Sequence, residues 1–353
     1  MAAIFSQSEY SRYIKRKWAA LLAFTGIFFA VSLLSISVGS SMIPVTEIIR
    51  ALFGAGSPQS SAIIWNVRMP RIAAGISVGI ALAMAGCVMQ NVLRNPLASA
   101  STLGVLQGAS FGAAFAIVYF GAGIQIPFSS AVSITNPSMV VIFAFLGGVA
   151  STAVILALAR AGGLTPSSMI LAGVALGALF TGATALVLYF ADDVVVATIV
   201  YWTFGSLGRA GWNEIAVIFF LAFAAFLFFI FNRWNYNAME SGAHTAKSLG
   251  VSVDSLIIVS MIVCALISSA AVAFVGTINF IGLIAPHIAR KFTGNDYRFL
   301  IPCSALMGAV LLLSADIVSR MLIAPVILPI GAITSFLGAP LFLYMIVKRG
   351  SVS

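Results

Sequence analysis

The chain has 353 residues, 61% of them apolar and only 8% charged, with a formal net charge of +9. Its mean hydropathy is +1.12, whereas soluble domains average roughly 45–50% apolar and 25% charged residues. These values exclude a soluble enzyme, a disordered chain and a secreted disulfide scaffold, and they define an integral membrane protein.

A membrane-crossing helix takes about 20 mostly apolar residues. The first predicted span, 18–38, follows the basic cluster Arg12, Lys15, Arg16 and Lys17. It is longer than the roughly 7–15 apolar residues of a signal peptide, so it is read as a retained span with its N-terminal side in the cytoplasm. Further spans are predicted at 72–92, 100–120, 139–159, 168–190, 214–232, 255–275, 299–320 and 330–347. The stretch 276–290 is apolar but short, and glycine and proline interrupt it; it counts as a broken tenth crossing.

Ten crossings place both termini in the cytoplasm. Of the 18 basic residues, 13 then lie on that side, and Arg50, Arg68, Arg71, Arg209 and Arg320 remain outside. This is the bias expected of a multispanning protein. The positive charge is therefore not a nucleic-acid signal, and no basic stretch is interleaved with aromatics for base stacking.

Small residues crowd the spans at 75–86, 103–114 and 171–185, which lets helix backbones approach closely in lipid. A loose internal repeat pairs Gly86 and Pro96 with Gly276 and Pro286, each copy carrying a basic residue, Arg94 or Arg290. Repeats with interrupted helices are common in transporters. Cys87, Cys264 and Cys303 form no CxxC and are expected as buried free thiols.

The motifs of chemistry are missing. No GxxxxGK[ST], HExxH or GxSxG occurs, and His244 and His287 are far apart in sequence. No catalytic or metal-binding residue can be named, so the expectation is a transport subunit and not an enzyme. Ion-coupled carriers usually keep acidic residues within their spans. Here only Asp316 does, with Arg320 four residues on for pairing. An ion-coupled secondary transporter without an ATPase subunit is the alternative reading.

The stretches VRMPRIAAGISVG (67–79), AGCVMQNVLRNPLASASTLGV (85–105), ILAGVALGAL (170–179), AKSLGV (246–251), FIGLIAPHIAR (280–290), LLSADIVSR (312–320) and LPIGAITSFLGAPLF (328–342) carry a family resemblance. Together they resemble the transmembrane permease of type II ABC importers, which take up iron–siderophores, haem and cobalamin. The resemblance implies one all-α permease domain over 1–353, ten helices per subunit in a homodimer, embedded in membrane lipid. It also implies two separate ATPase subunits, which use the ATP and Mg, and an external substrate-binding protein. This chain is expected to bind no cofactor. Ferric siderophore is the first-ranked cargo, with cobalamin or haem next.

The same resemblance implies three sets of site residues. Arg68, Arg71 and Arg320 would receive carboxylates from the binding protein, a task that suits the two-point guanidinium fork. A cytoplasmic loop at about 233–254, with Ala243, His244, Lys247, Leu249 and Gly250, would form the coupling helix that contacts the ATPase. The family usually has acidic residues where Ala243 and His244 follow Gly242. Ser167 and Ser168 would line a cytoplasmic gate on the dimer axis; read by themselves they also belong to a helix start, with a threonine cap and a proline in the first turn. His287 is expected to make a structural hydrogen bond or an ATPase contact, because no second metal ligand is near in sequence.

Overall fold

A computed structural model of the chain describes residues 7–39, 43–120, 123–125, 132–134, 136–162 and 165–350. The first six and last three residues, on which the expected placement of the termini bears, lie outside these. The chain opens with α1 (Gln7–Ser37), followed by the short α2 (Val45–Leu52) and α3 (Pro58–Ile63). A π-helical turn, Ile64–Arg68, joins α3 to α4 (Met69–Val92) without a break. After α5 (Val105–Tyr119) comes a small antiparallel hairpin, β1 (Gly123–Gln125) with β2 (Val132–Ile134).

The helices α6 (Pro137–Gly162), α7 (Pro166–Tyr189), α8 (Asp193–Thr203) and α9 (Trp212–Phe231) follow. Two short helices, α10 (Arg233–Glu240) and α11 (Ala243–Ser248), lead into α12 (Val253–Val275). The chain closes with α13 (Ile281–Thr293), α14 (Tyr297–Met321) and α15 (Ile330–Gly350). Among the described residues, seven helical stretches are long and apolar enough to cross a membrane, and three shorter apolar helices accompany them.

One expectation about the spans changes. The 100–120 span begins only at Val105, because 100–104 form turns. The interval between the predicted spans 168–190 and 214–232 contains α8, whose 11 residues are too few for a span and begin at the second of two adjacent aspartates. The break predicted at 276–290 is present, but in a particular form. The 13 residues of α13 rise about 20 Å at 1.5 Å each, short of a bilayer core of about 30 Å. Residues 276–280 are non-helical and extend its reach. Backbone that leaves the helix inside a membrane must find partners within the protein. Here Gly276 N–H donates to Val272 O at 2.8 Å and Asn279 O accepts from Ile281 N–H at 2.8 Å, while the Thr277 hydroxyl ties the segment to Thr203 O.

The core is built around α4, which is buried on nearly every side. A helix apolar all round is an interior helix, and α4 packs against α14, α12 and α13. Gly86 makes the α13 contact possible, since a Cβ there would lie 1.7 Å from Gly282 O. The internal repeat is not a structural one. Gly86 sits inside a helix and Pro96 in a turn, whereas Gly276 caps α12 and Pro286 lies inside α13. Cys87, Cys264 and Cys303 are buried free thiols, as expected. On the periphery, α7 turns Leu171, Val174, Leu179 and Leu186 outward, and α15 does the same with Phe336 and Leu337.

Candidate functional site

Two clusters of charged groups lie at the two ends of the bundle. At one end α1 finishes with no basic residue in its last turn, leaving its terminal carbonyls in need of donors. Other helices supply them. Arg68, the last residue of the π turn, donates to Ile36 O and Ser37 O. Arg320, near the end of α14, donates to Val38 O and to Ser35 O and Oγ. Arg71 lies one turn into α4 and meets Asp316 of α14, its Nε donating to Oδ1 at 2.7 Å. Arg320 Nε stands 2.9 Å from Asp316 Oδ2.

One carboxylate, fully buried, is thus shared by two guanidinium groups whose side chains are 11% and 9% exposed. Arg68, Arg71 and Arg320 come together around Asp316 and the end of α1. They also face one cavity of about 130 Å³, walled further by Gly39, Ile63 and Pro325. Little of any of the three reaches solvent. Arg68 is only 5% exposed, and two of the three are already paired. Pairing of Asp316 with Arg320 was legible from their spacing, whereas its second partner was not.

At the opposite end, α10 is clamped to the bundle. The Glu240 carboxylate accepts from Asn91 Nδ2 of α4 at 3.3 Å, from Tyr297 Oη of α14 at 3.1 Å and from Asn295 Nδ2 at 3.0 Å. Asp296 accepts from Lys17 Nζ at 3.0 Å, tying α1 to the start of α14, and from Arg298 Nη2 at 2.7 Å. Burial raises the Asp296 pKa, but hydrogen bonds from Arg298 and Lys17 outweigh it and hold the carboxyl below the usual range. Apart from Arg298, the partners of these two acids lie 55 to 279 positions away along the chain, so no local pattern marks the clamp.

From this clamp projects α11. Only Ala246 is buried in it, while His244, Lys247 and Leu249 face outward and Ala243 is half-buried. Glycines bound the helix: Gly242 has φ +110° and Gly250 has φ +86°, angles that glycine adopts freely and β-branched residues resist. Lys247 reaches Asp254 at 3.5 Å across an exposed pair. The expected loop at 233–254 is therefore two short helices, the second presented as a knob.

Thr165 caps α7: its Oγ1 accepts from Ser168 N at 3.2 Å, with Pro166 in the first turn. Ser167 is exposed and Ser168 half-buried within the cap. His287 lies on α13, one turn before Arg290. Arg94, which has φ +47°, and Arg290 share a cavity of about 330 Å³ with Gln90 and Glu240.

Seven helical stretches long and apolar enough to cross a membrane, with charged clusters at the two ends of the bundle, define a multi-pass membrane protein. The profile of the FecCD transport family matches residues 27–348. The chain belongs to that family. It is 50% identical over 340 residues, 96% of this chain and 97% of the other, to a provisionally named ABC transporter permease protein of Methanocaldococcus jannaschii. It is 35% identical to the hemin transport system permease protein HmuU of Yersinia pestis, covering 91% and 95% of the two chains. With the iron(3+)-hydroxamate import system permease protein FhuB of Bacillus subtilis it shares 36% identity, covering 97% and 87%. Among solved structures, an inward-facing conformation of a provisionally assigned metal-chelate type ABC transporter superposes with a TM-score of 0.79. That match has 27% identity and covers 94% of this chain and 99% of the other.

Proposed function

We propose that this chain is the membrane permease of an ATP-driven importer that carries a metal chelate from an external binding protein into the cytoplasm. A ferric siderophore is the first-ranked cargo; cobalamin or haem come next. The relatives named for hemin and for iron(3+)-hydroxamate support this reading. The observation that carries it is the different equipment of the two ends: clustered arginines at one, the α11 knob at the other.

On this reading Arg68, Arg71 and Arg320 offer their shared cavity to carboxylates of the binding protein, outside the cell. Ala243, His244, Lys247, Leu249 and Gly250 seat α11 on a separate ATPase, which binds ATP and Mg and performs the hydrolysis. The chain itself supplies no catalytic group and holds no cofactor. Two copies pair through outward apolar faces such as those of α7 and α15, giving a two-fold axis with one pathway. Ser167 and Ser168 line that pathway at its cytoplasmic mouth, and both termini are cytoplasmic.

The test is copurification of the full chain with candidate ATPases and binding proteins, the latter loaded in turn with a ferric siderophore, haem or cobalamin. Retention of an ATPase and of one loaded binding protein is expected. Arg68→Gln should then weaken the binding protein's hold, and raising the salt should weaken the wild-type complex, because the long-range attraction that brings the partners together is screened over about 8 Å at physiological ionic strength. Chelate uptake driven by an ion gradient without any ATPase would overturn the reading in favour of a secondary transporter.

A further inference from the structure

Arg209 has no part in the sites above, and its setting is unusual for a cation. It ends a single 3₁₀ turn, Leu207–Arg209, between α8 and α9. Its Nη1 and Nη2 donate to the main-chain oxygens of Trp202 and Tyr201 at 3.4 and 3.3 Å, both long. The guanidinium stands 5.9 Å from the Trp202 ring. Among the described residues no carboxylate lies within ion-pairing distance of it, although Glu214 follows in the first turn of α9. Burial pushes its pKa down to about 10. It is therefore charged at neutral pH but poorly solvated, a state that an incoming anion relieves.

The cavity beside it is the second observation. Arg209 and Arg71 both line a space of about 640 Å³ between residues 201–209 and 326–330. Gly208, the residue before Arg209, lies against Arg71: a Cβ added there would sit 3.3 Å from Arg71 Nη1. Arg71 and Arg320 share the single charge of Asp316, so that trio carries a net positive charge before Arg209 is counted. Tyr201, Phe204 and Ile327 give the remaining wall an aromatic and apolar character.

We propose that this cavity receives the cargo itself, as an anionic chelate with aromatic or apolar flanks, and that Arg209 with Arg71 binds its negatively charged oxygens. The proposal rests on the importer reading above and names the cargo's charge class. Acidic side chains of a soluble partner would offer similar oxygens. The volume argues for the chelate, because one aspartate or glutamate fills the neighbouring 130 Å³ cavity far better. Aromatic walls also give an acidic side chain nothing to contact, whereas they suit a chelate with aromatic rings.

The experiment is equilibrium binding to the full chain in nanodiscs, which needs neither ATPase nor binding protein. Its outcome is thus separate from that of the importer reading, which is judged by uptake. Two probes carry the same radioactive iron: the anionic complex with three 2,3-dihydroxybenzoates, and neutral ferrioxamine E. The anionic complex should bind in a salt-sensitive manner. Arg209→Gln should weaken it about tenfold or more, the scale of a lost charge-assisted hydrogen bond. Arg209→Lys should keep part of the affinity, and the neutral probe should be indifferent to both changes.

Equal weakening of both probes, or an unchanged affinity for the anionic one, overturns the proposal. So does displacement of the anionic probe by N-acetylglutamate at the same concentrations as free dihydroxybenzoate, which would hand the site to a partner's acidic side chain. Retained circular dichroism and melting of Arg209→Lys keep a folding defect from passing as a binding defect.

Discussion

Asp316 is the residue whose removal should cost most at the arginine end. Its carboxylate has no exposed surface and lies 2.7 Å from Arg71 and 2.9 Å from Arg320. Changing Asp316→Asn preserves shape but leaves two buried guanidinium groups facing one another, and breaking a buried pair from one side costs about 3–5 kcal/mol. Arg71→Gln acts differently, because Arg320 and Asp316 remain a balanced pair. Its cost is that of one charge-assisted hydrogen bond, about 1.5–3 kcal/mol. The two changes should also be coupled, so that their combination destabilises less than the sum of the singles. Reversible unfolding in mixed detergent–SDS micelles measures all three. A loss below about 1 kcal/mol for Asp316→Asn, or a larger loss for Arg71→Gln, would refute the shared-carboxylate account.

Three further outcomes follow from the opposite end. Gly250→Val forces a β-branched residue to φ +86°, at a cost of about 1–2 kcal/mol; the ATPase should keep turning over in proteoliposomes while transport per ATP falls, and unchanged coupling counts against α11 as the coupling helix. Cysteine at Ser167 should cross-link two copies in at least one nucleotide state, since a disulfide needs α-carbons about 4.4–6.8 Å apart; failure in every state removes Ser167 from the gate. The depressed pKa of Asp296 means its contribution is complete above the unfolded carboxylate pKa of about 3.9 and is lost as pH falls through the lower folded value. Hydrogen exchange around Lys17, corrected for intrinsic rates, should therefore be equal at pH 7 and pH 5, and loosening already at pH 5 would contradict the anchor.

The long spans were legible because a membrane demands an uninterrupted apolar run, and composition alone exposes one. The helix α8 escaped because its 11 residues begin at Asp193, directly after Asp192, and mimic an external loop. The arginine cluster was half legible. Asp316 and Arg320 stand one helical turn apart, a spacing visible in any sequence, but the Arg71 partner is 245 positions away. The Lys17–Asp296 anchor joins groups 279 positions apart, and no local pattern announces it. The Gly–Pro repeat misled for a related reason: spacing alone cannot distinguish a helix-interior glycine from a left-handed cap.

The central claim, that this chain moves a metal chelate at the expense of ATP hydrolysed elsewhere, is tested most directly by reconstitution. The chain and its ATPase are placed in proteoliposomes with ATP inside, and the loaded binding protein carrying a radiolabelled ferric siderophore is supplied outside. The account predicts accumulation of label that requires ATP, the ATPase and the binding protein together, and that an ionophore collapsing the ion gradients leaves intact. Accumulation without the ATPase, abolished by the ionophore, would contradict it.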